Sequence, residues 1–423
     1  MQQYDLLSKR QSTVWPGIGW AFWAIAALFY GYEFLHRVAP SVLTTQLREA
    51  FAVNDHQLGV IGAMYFYAYA SFQLPAGIII DRFGAKKCLT IASAILTVGS
   101  FIFTIASNSP VAQLSRFMIG MGSAFAFVGC LKIGAETLST RSFPLVVGLT
   151  NLCGTLGALL GGLPLTYWVE RSGWRITMLE ISFVGLLITI MLWLLLPNNP
   201  EVKASSKPKA VSQDLLAGLK LVLKCRQSWL ISLYGALLVA PIAALPEMWG
   251  VEYLKVAFQL TSMQAASITH TIFIGTAIGG PIIGWLVYYL PSQREFMLFA
   301  TVGALILLSI FLYWLKISPV HFYPILVGYG ILTANMLLCF SWITQIHPPW
   351  AQGAAIGFTN MVIMAGAGLS QQGIGWILHR LRASHQGLYL VEDYHIAFSV
   401  LPICLFIAIL LILFSRHSKG LRA

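Results

Sequence analysis

Charge is scarce in this chain. Asp, Glu, Lys and Arg together make up 10% of its 423 residues, against about 25% in a soluble domain. So few charges cannot cover a water-facing surface of ordinary composition, which excludes a soluble enzyme or binding module. Also missing are H-E-x-x-H, G-x-S-x-G and the Gly-rich Walker loop, so metalloprotease chemistry, serine hydrolysis and ATP-driven pumping by this chain have no support. Cysteines are few and isolated: Cys88, Cys130, Cys153, Cys225, Cys339 and Cys404. Most sit in apolar runs, with neither a disulfide framework nor a zinc spacing, and no metal or other cofactor is expected. Acids number 15 against 26 bases, for a net charge of +11. No basic stripe alternates with exposed aromatics, so nucleic acid is not an expected partner. No cleavable signal pattern follows Lys9 and Arg10, and the first apolar run is expected to remain as an anchor.

What is present is apolar. Hydrophobic residues fill 57% of positions, and mean hydropathy is +0.76. A membrane-crossing helix needs about 20 apolar residues. Twelve such segments are read at roughly 17–41, 58–80, 88–107, 111–134, 144–168, 174–196, 228–252, 263–288, 296–315, 320–344, 352–378 and 394–415. Twelve crossings put both termini on one side. Of the 26 Lys and Arg, 16 lie in segments sharing the termini's side, 7 lie on the other, and Arg37, Arg116 and Lys132 fall inside crossings. The positive-inside rule therefore places both termini in the cytoplasm. The expected setting is a bacterial inner membrane, with lipid around a monomer.

One long polar stretch, 197–227, divides the chain into halves at 1–196 and 228–423. Its first part is rich in Pro, Ser and Lys and reads as a flexible linker. Its second part sets Leu215, Leu216, Leu219, Val222 and Leu223 at helical spacing with Lys220, Lys224 and Arg226 between, as in an amphipathic helix on the cytoplasmic leaflet. The halves repeat. "GLTN" at Gly148–Asn151 recurs as "GFTN" at Gly357–Asn360, 209 residues on, and Gly77 is matched by Gly284, 207 residues on. Two pseudo-symmetric six-helix bundles with a site between them are a transporter plan.

The sharpest motif is "GIIIDRFGAKK", Gly77 to Lys87. Through Gly77, Asp81, Arg82, Gly84, Lys86 and Lys87 it resembles the signature between helices 2 and 3 of the major facilitator superfamily, with Ala85 in place of a usual base. Gly77 is read as a point of close helix approach. Asp81 is read as half of a charge latch at a helix end. In "RFMIGMGSA", Arg116, Gly120 and Gly122 resemble the family's fourth-helix pattern, which implies a coupling role for Arg116; the alternative is an Arg snorkelling to the surface. The Gly-rich run from Gly148 to Pro164 and "GWR" at Gly173–Arg175 are similar to the family's fifth helix and sixth-helix entry. The second half matches less well, with Tyr288 where the repeated motif wants an acid. The resemblance implies an all-α fold of twelve membrane helices in two bundles that rock about a central site.

Polar residues inside the crossings are the candidates for substrate chemistry. Tyr30, Glu33 and Arg37 share one face of the first helix, and Glu33 and Arg37 are spaced to pair at i,i+4. Arg37 in "EFLHRVAPSVL" is similar to the first-helix Arg that binds anions in organic-anion symporters of the superfamily. The other reading is an ion pair that only holds the helix. Tyr65, Tyr69 and Gln73 share a face of the second helix, as cavity lining or as packing. Pro246 and Glu247 interrupt the seventh, where Glu247 can carry a proton or bind an amine. His270, Asn335 and Gln371 complete the cavity candidates, and Lys132 with Glu136 forms a gating or structural pair. The function read from these features is secondary transport of a small polar solute by alternating access, driven by protons. Amino acids, organic acids, nucleosides and polycarboxylate siderophores are the candidates, because "YEFLHRVAPS" is similar to facilitators that carry such solutes. The alternatives are a transport-like sensor that binds without moving its solute, and a membrane enzyme.

Overall fold

The computed structural model describes residues 16–139, 142–197, 217–289, 292–314, 317–384 and 390–415. Among the described residues, twelve helices are long and apolar enough to cross a membrane, numbered here as spans 1 to 12: Gly17–Val38, Asp55–Phe83, Ala85–Ile105, Ser109–Thr137, Leu145–Ser172, Trp174–Leu195, Arg226–Phe258, Ser262–Leu286, Gln293–Tyr313, Pro319–Ile346, Pro349–Ser384 and Val391–Phe414. Among the described residues there is no strand. Spans 7 and 11 run several residues beyond the hydropathy reading. Their last turns carry Glu252, Lys255, Arg380 and Arg382, charges that end an apolar window but not a helix. Span 1 is shorter than read. Pro40, with no N–H to donate, opens a separate helix, Pro40–Phe51, as proline does at a first helical position. Asn54 then starts span 2 with a reciprocal capping box to Gln57.

Spans 1–6 and 7–12 form two six-helix bundles packed on small residues. In lipid there is no hydrophobic gain from joining apolar helices, so close backbone contact replaces it. Gly157 in span 5 meets the backbone of Gly31 in span 1, and Gly120 in span 4 meets that of Tyr65 in span 2. The second contact recurs in the other bundle, where Gly330 in span 10 meets Ile272 in span 8. Gly120 and Gly330 are 210 residues apart and Tyr65 and Ile272 are 207 apart, the spacing of the sequence repeat. Gly84 and Gly173, at φ 87° and 80°, make the tight turns into spans 3 and 6 in a conformation other residues avoid. Gly77 does not have its expected role. A Cβ there meets nothing within 4 Å, because open space borders span 2 at this end, so the close approach read from the motif is absent here.

The halves meet along several seams, two of them built on glycine. Span 2 packs on span 11, with Gly59 and Gly62 against Gln371, Gly368 against Tyr67, and Gly357 against Leu74. The Tyr67 hydroxyl donates to Gln372 Oε1 across this seam. Span 5 meets span 8 where Gly162 touches the His270 ring. Ahead of span 7, residues 217–224 are helical, with Gly218 and Val222 buried and Lys220 and Lys224 exposed. Gly218 rests on Ala351 and Ala354 at the start of span 11. Leu215, Leu216 and the Pro/Ser/Lys-rich part of the linker lie outside the described residues.

Candidate functional site

Span 1 presents Tyr30, Glu33 and Arg37 on one buried face. The pairing differs from the i,i+4 expectation. Arg37 Nε donates to Glu247 Oε1 at 3.0 Å, across the interface between halves. Glu33 Oε2 instead accepts from the Tyr65 hydroxyl of span 2. The cause is the aromatic bracket around Arg37. Its guanidinium carbon lies 5.1 Å from the ring centroids of both Phe34 and Phe66, and this cation–π seat directs it off its own helix toward span 7. Arg37 and Glu247 are 210 residues apart, the repeat spacing, so the pair joins equivalent positions of spans 1 and 7 across the pseudo-two-fold axis.

Glu247 is held by an irregular turn. Residues Leu245–Trp249 form a π turn closed by the Gly250 N–H on the Leu245 carbonyl. Pro246 has no N–H to continue the α ladder, and π turns concentrate at functional positions in helices. Glu247 Oε2 and Glu33 Oε1 are buried without a hydrogen-bond partner. Both carboxylates therefore keep capacity for a proton or a donor. Tyr69 lies 6.1 Å from Tyr65, ring to ring, and Tyr30 packs edge-on to Phe34 at 5.0 Å and beside Phe127 at 5.3 Å. The site is thus one guanidinium in an aromatic box, paired with a carboxylate from the other half.

Arg116 does not snorkel. It is 2% exposed, donates from Nη1 to the His36 carbonyl and lies 5.0 Å from the Tyr65 ring centroid. Its Nε and Nη2 have no partner, nor has either ring nitrogen of His36. His36 was not marked by sequence reasoning. It packs edge-on to Tyr32 at 4.7 Å, and a His in an apolar run next to a more conspicuous Arg gives no distinguishing signal.

The other candidates make their own contacts. Asn335 is inside the second bundle, accepting from the Tyr234 hydroxyl, which also bonds Thr301 at 2.7 Å. Gln371 ties span 11 to span 7, donating to the Ala243 carbonyl at 2.9 Å and accepting at its own carbonyl from Trp249 Nε1 at 3.0 Å. His270 interrupts span 8, with Nδ1 2.7 Å from the Ala266 carbonyl and Nε2 3.3 Å from Ser41 Oγ of the other half. Asp81 pairs with Lys132 of span 4 at 2.8 Å. That pairing replaces the expected Lys132–Glu136 contact, because Lys132 reaches a neighbouring helix end more directly than along its own. Arg82 lies 5.2 Å from the Phe83 ring centroid. Gly84 makes the turn described above, and Lys86 and Lys87 start span 3.

A second charge cluster closes the end of the bundle away from the termini, and sequence reasoning missed it. Arg48 of the Pro40–Phe51 helix makes a bidentate pair with Glu252 at 2.7 and 2.9 Å and a bond to Asp55 at 3.0 Å. Arg382 of span 11 holds the other Asp55 oxygen at 2.5 Å. Asp55 and Glu252 are buried, so these charge-assisted forks are shielded from salt. Charges at span ends are ordinary, which is why these four gave no signal.

A family model described as Major Facilitator Superfamily matches residues 21–371. The chain is similar to the uncharacterized transporter YybO of Bacillus subtilis, 28% identical over 174 residues, 40% of each chain; it thus spans about two fifths of that relative's length. It is also similar to the gentisate transporter of Corynebacterium glutamicum, 24% identical over 85% of this chain and 80% of that one, and to the gallate transporter of Pseudomonas putida, 23% identical over 68% and 69%. Among solved structures, a bacterial homolog of the human lysosomal transporter Spinster superposes with a TM-score of 0.74 at 16% identity, over 95% of this chain and 97% of that one. With the matched model covering most of the chain and the twelve-span fold agreeing, the chain belongs to the Major Facilitator Superfamily.

Proposed function

We propose that this protein is a secondary transporter of a small organic anion, with carboxylates on an aromatic ring as the first class to test. The observation that carries the reading is the Arg37–Glu247 pair inside an aromatic box. A guanidinium offers carboxylates a planar fork, so a substrate carboxylate can take the place of Glu247. The rings of Tyr30, Tyr65, Tyr69, Phe34 and Phe66 suit a flat aromatic body. The names of the gentisate and gallate relatives agree with that class, and they favour organic acids over the other solutes read from the sequence.

In this scheme the resting protein neutralises Arg37 with its own Glu247. Substrate entry displaces Glu247, which frees span 7 from span 1. Glu33, held by Tyr65 and facing the same cluster, accepts the coupling proton. The Arg48–Glu252 and Arg382–Asp55 pairs are the seal that must open for the site to face the other side. We place both termini in the cytoplasm of a bacterial inner membrane, on the distribution of Lys and Arg. The halves are assigned to 1–196 and 228–423, joined by the linker at 197–227.

The test is uptake of labelled gentisate into proteoliposomes under an imposed pH gradient, acid outside. Accumulation in the parent that collapses with a protonophore is the expected result. Glu33→Gln is expected to keep binding while losing the dependence of uptake on pH between about 5.5 and 8. Saturable binding with no flux would instead support a sensor.

A further inference from the structure

We propose that the groove between spans 5 and 8 is a binding site for one acyl chain of a membrane phospholipid, drawn from the leaflet away from the termini. The groove has a volume of about 640 Å³, within the roughly 300–1,000 Å³ of sites that hold ligands. Leu156, Leu160 and Leu163 form the wall from the first half and Ile274 the wall from the second. These four are 51, 53, 38 and 40% exposed, so the groove opens sideways, where the surrounding medium is lipid. From Leu156 to Pro164 it runs about 12 Å at 1.5 Å per residue, close to the depth of one leaflet, half of a hydrocarbon core of about 30 Å. Leu156 and Ile274 sit near the middle of their spans. Ser267 and Tyr323 sit near the outer ends of theirs and are hydrogen-bonded to each other at 2.7 Å. That puts two hydroxyls at the level of lipid ester and phosphate groups, where Tyr is favoured, above an apolar floor for the tail.

The floor is also where both helices are interrupted. Span 5 breaks at Gly161–Gly162 and span 8 at His270, and a Cβ at Gly162 would lie 2.6 Å from the His270 ring. Broken backbone at membrane depth is tolerated where it is buried in protein or lines a cavity. One wall belongs to each half, so the angle between halves sets the width of the groove. A seated chain therefore favours the arrangement described here and opposes rocking, which links transport rate to lipid composition. None of this depends on what Arg37 binds.

The test uses the full-length protein in bilayers containing a small fraction of phosphatidylethanolamine with a diazirine on one acyl chain. After irradiation, adducts are mapped by mass spectrometry. Adducts per exposed residue at 156–164 and 267–274 are expected at least fivefold above those on the lipid face of span 6, at Phe183 and Trp193. Leu160→Trp, which fills the groove, is expected to bring that ratio to about one while span 6 keeps its parent yield. Equal yields in the parent overturn the proposal, whatever the variant does, because they describe ordinary boundary lipid.

Discussion

Replacing Glu247 with Gln removes one charge and keeps the side chain's shape, leaving Arg37 in the aromatic box without its carboxylate. Two unit charges about 4 Å apart interact by about 4 kcal/mol at an effective dielectric near 20. Removing one partner of a buried pair costs about 3–5 kcal/mol. The amide oxygen of Gln can still accept from Arg37 Nε, which offsets part of that, about 0.5–1.5 kcal/mol. Glu247→Gln is therefore expected to destabilise the ligand-free protein by about 2–4 kcal/mol, seen as a lower melting temperature in detergent. Binding should move the other way. A substrate carboxylate no longer competes with Glu247, so its affinity rises tenfold or more, which corresponds to at least about 1.4 kcal/mol. Gentisate would then raise the melting temperature of the variant more than that of the parent, while uptake slows because nothing displaces the product from Arg37. An unchanged ligand-free melting temperature together with weaker gentisate binding would refute the competition scheme and make Glu247 a direct partner of the substrate.

Arg37→Lys keeps the charge but loses the Nε donor and the flat ring contacts, and is expected to weaken gentisate binding at least tenfold in the same melting assay. Asp81→Asn breaks the partly exposed bond to Lys132, and uptake should fall severalfold at near-normal membrane abundance; full uptake would reduce that motif to an ordinary basic turn. Glu252→Gln loosens the bidentate grip on Arg48. A cysteine introduced at Thr45, in the adjoining vestibule, should then react faster with an impermeant maleimide added from outside, and no change in rate would show that the seal does not rest on this pair.

Hydropathy made the spans legible because each crossing must satisfy its backbone within one apolar helix. The repeat was legible because the halves kept their glycines at fixed spacing. The individual charges of the cluster were visible too: Arg37, Glu247, Glu33 and Arg116 are conspicuous inside apolar runs. Their partners were not. An i,i+4 spacing suggested Glu33 for Arg37, yet the partner lies 210 residues away, and no local spacing encodes a contact between bundles. Asn335 looked like cavity lining because any polar residue in a span does; its partner Tyr234, itself bonded to Thr301 on a third helix, emerges only from packing. Pro246 was readable as a disturbance in span 7, but its outcome, a π turn, depends on which carbonyl the Gly250 N–H reaches.

That turn has a consequence for timing. Glu247 and Glu252 are five residues apart, which in a regular α-helix sets them about 140° apart around the axis, facing different neighbours. A π turn bonds i to i+5 and changes that angle, and here Glu247 meets Arg37 of span 1 while Glu252 meets Arg48 of the helix that follows it. The two contacts are strung on one short rod. Any twist of that segment that lets go of one pulls on the other, so in the proposed scheme a substrate that displaces Glu247 also loosens the grip of Glu252 on Arg48.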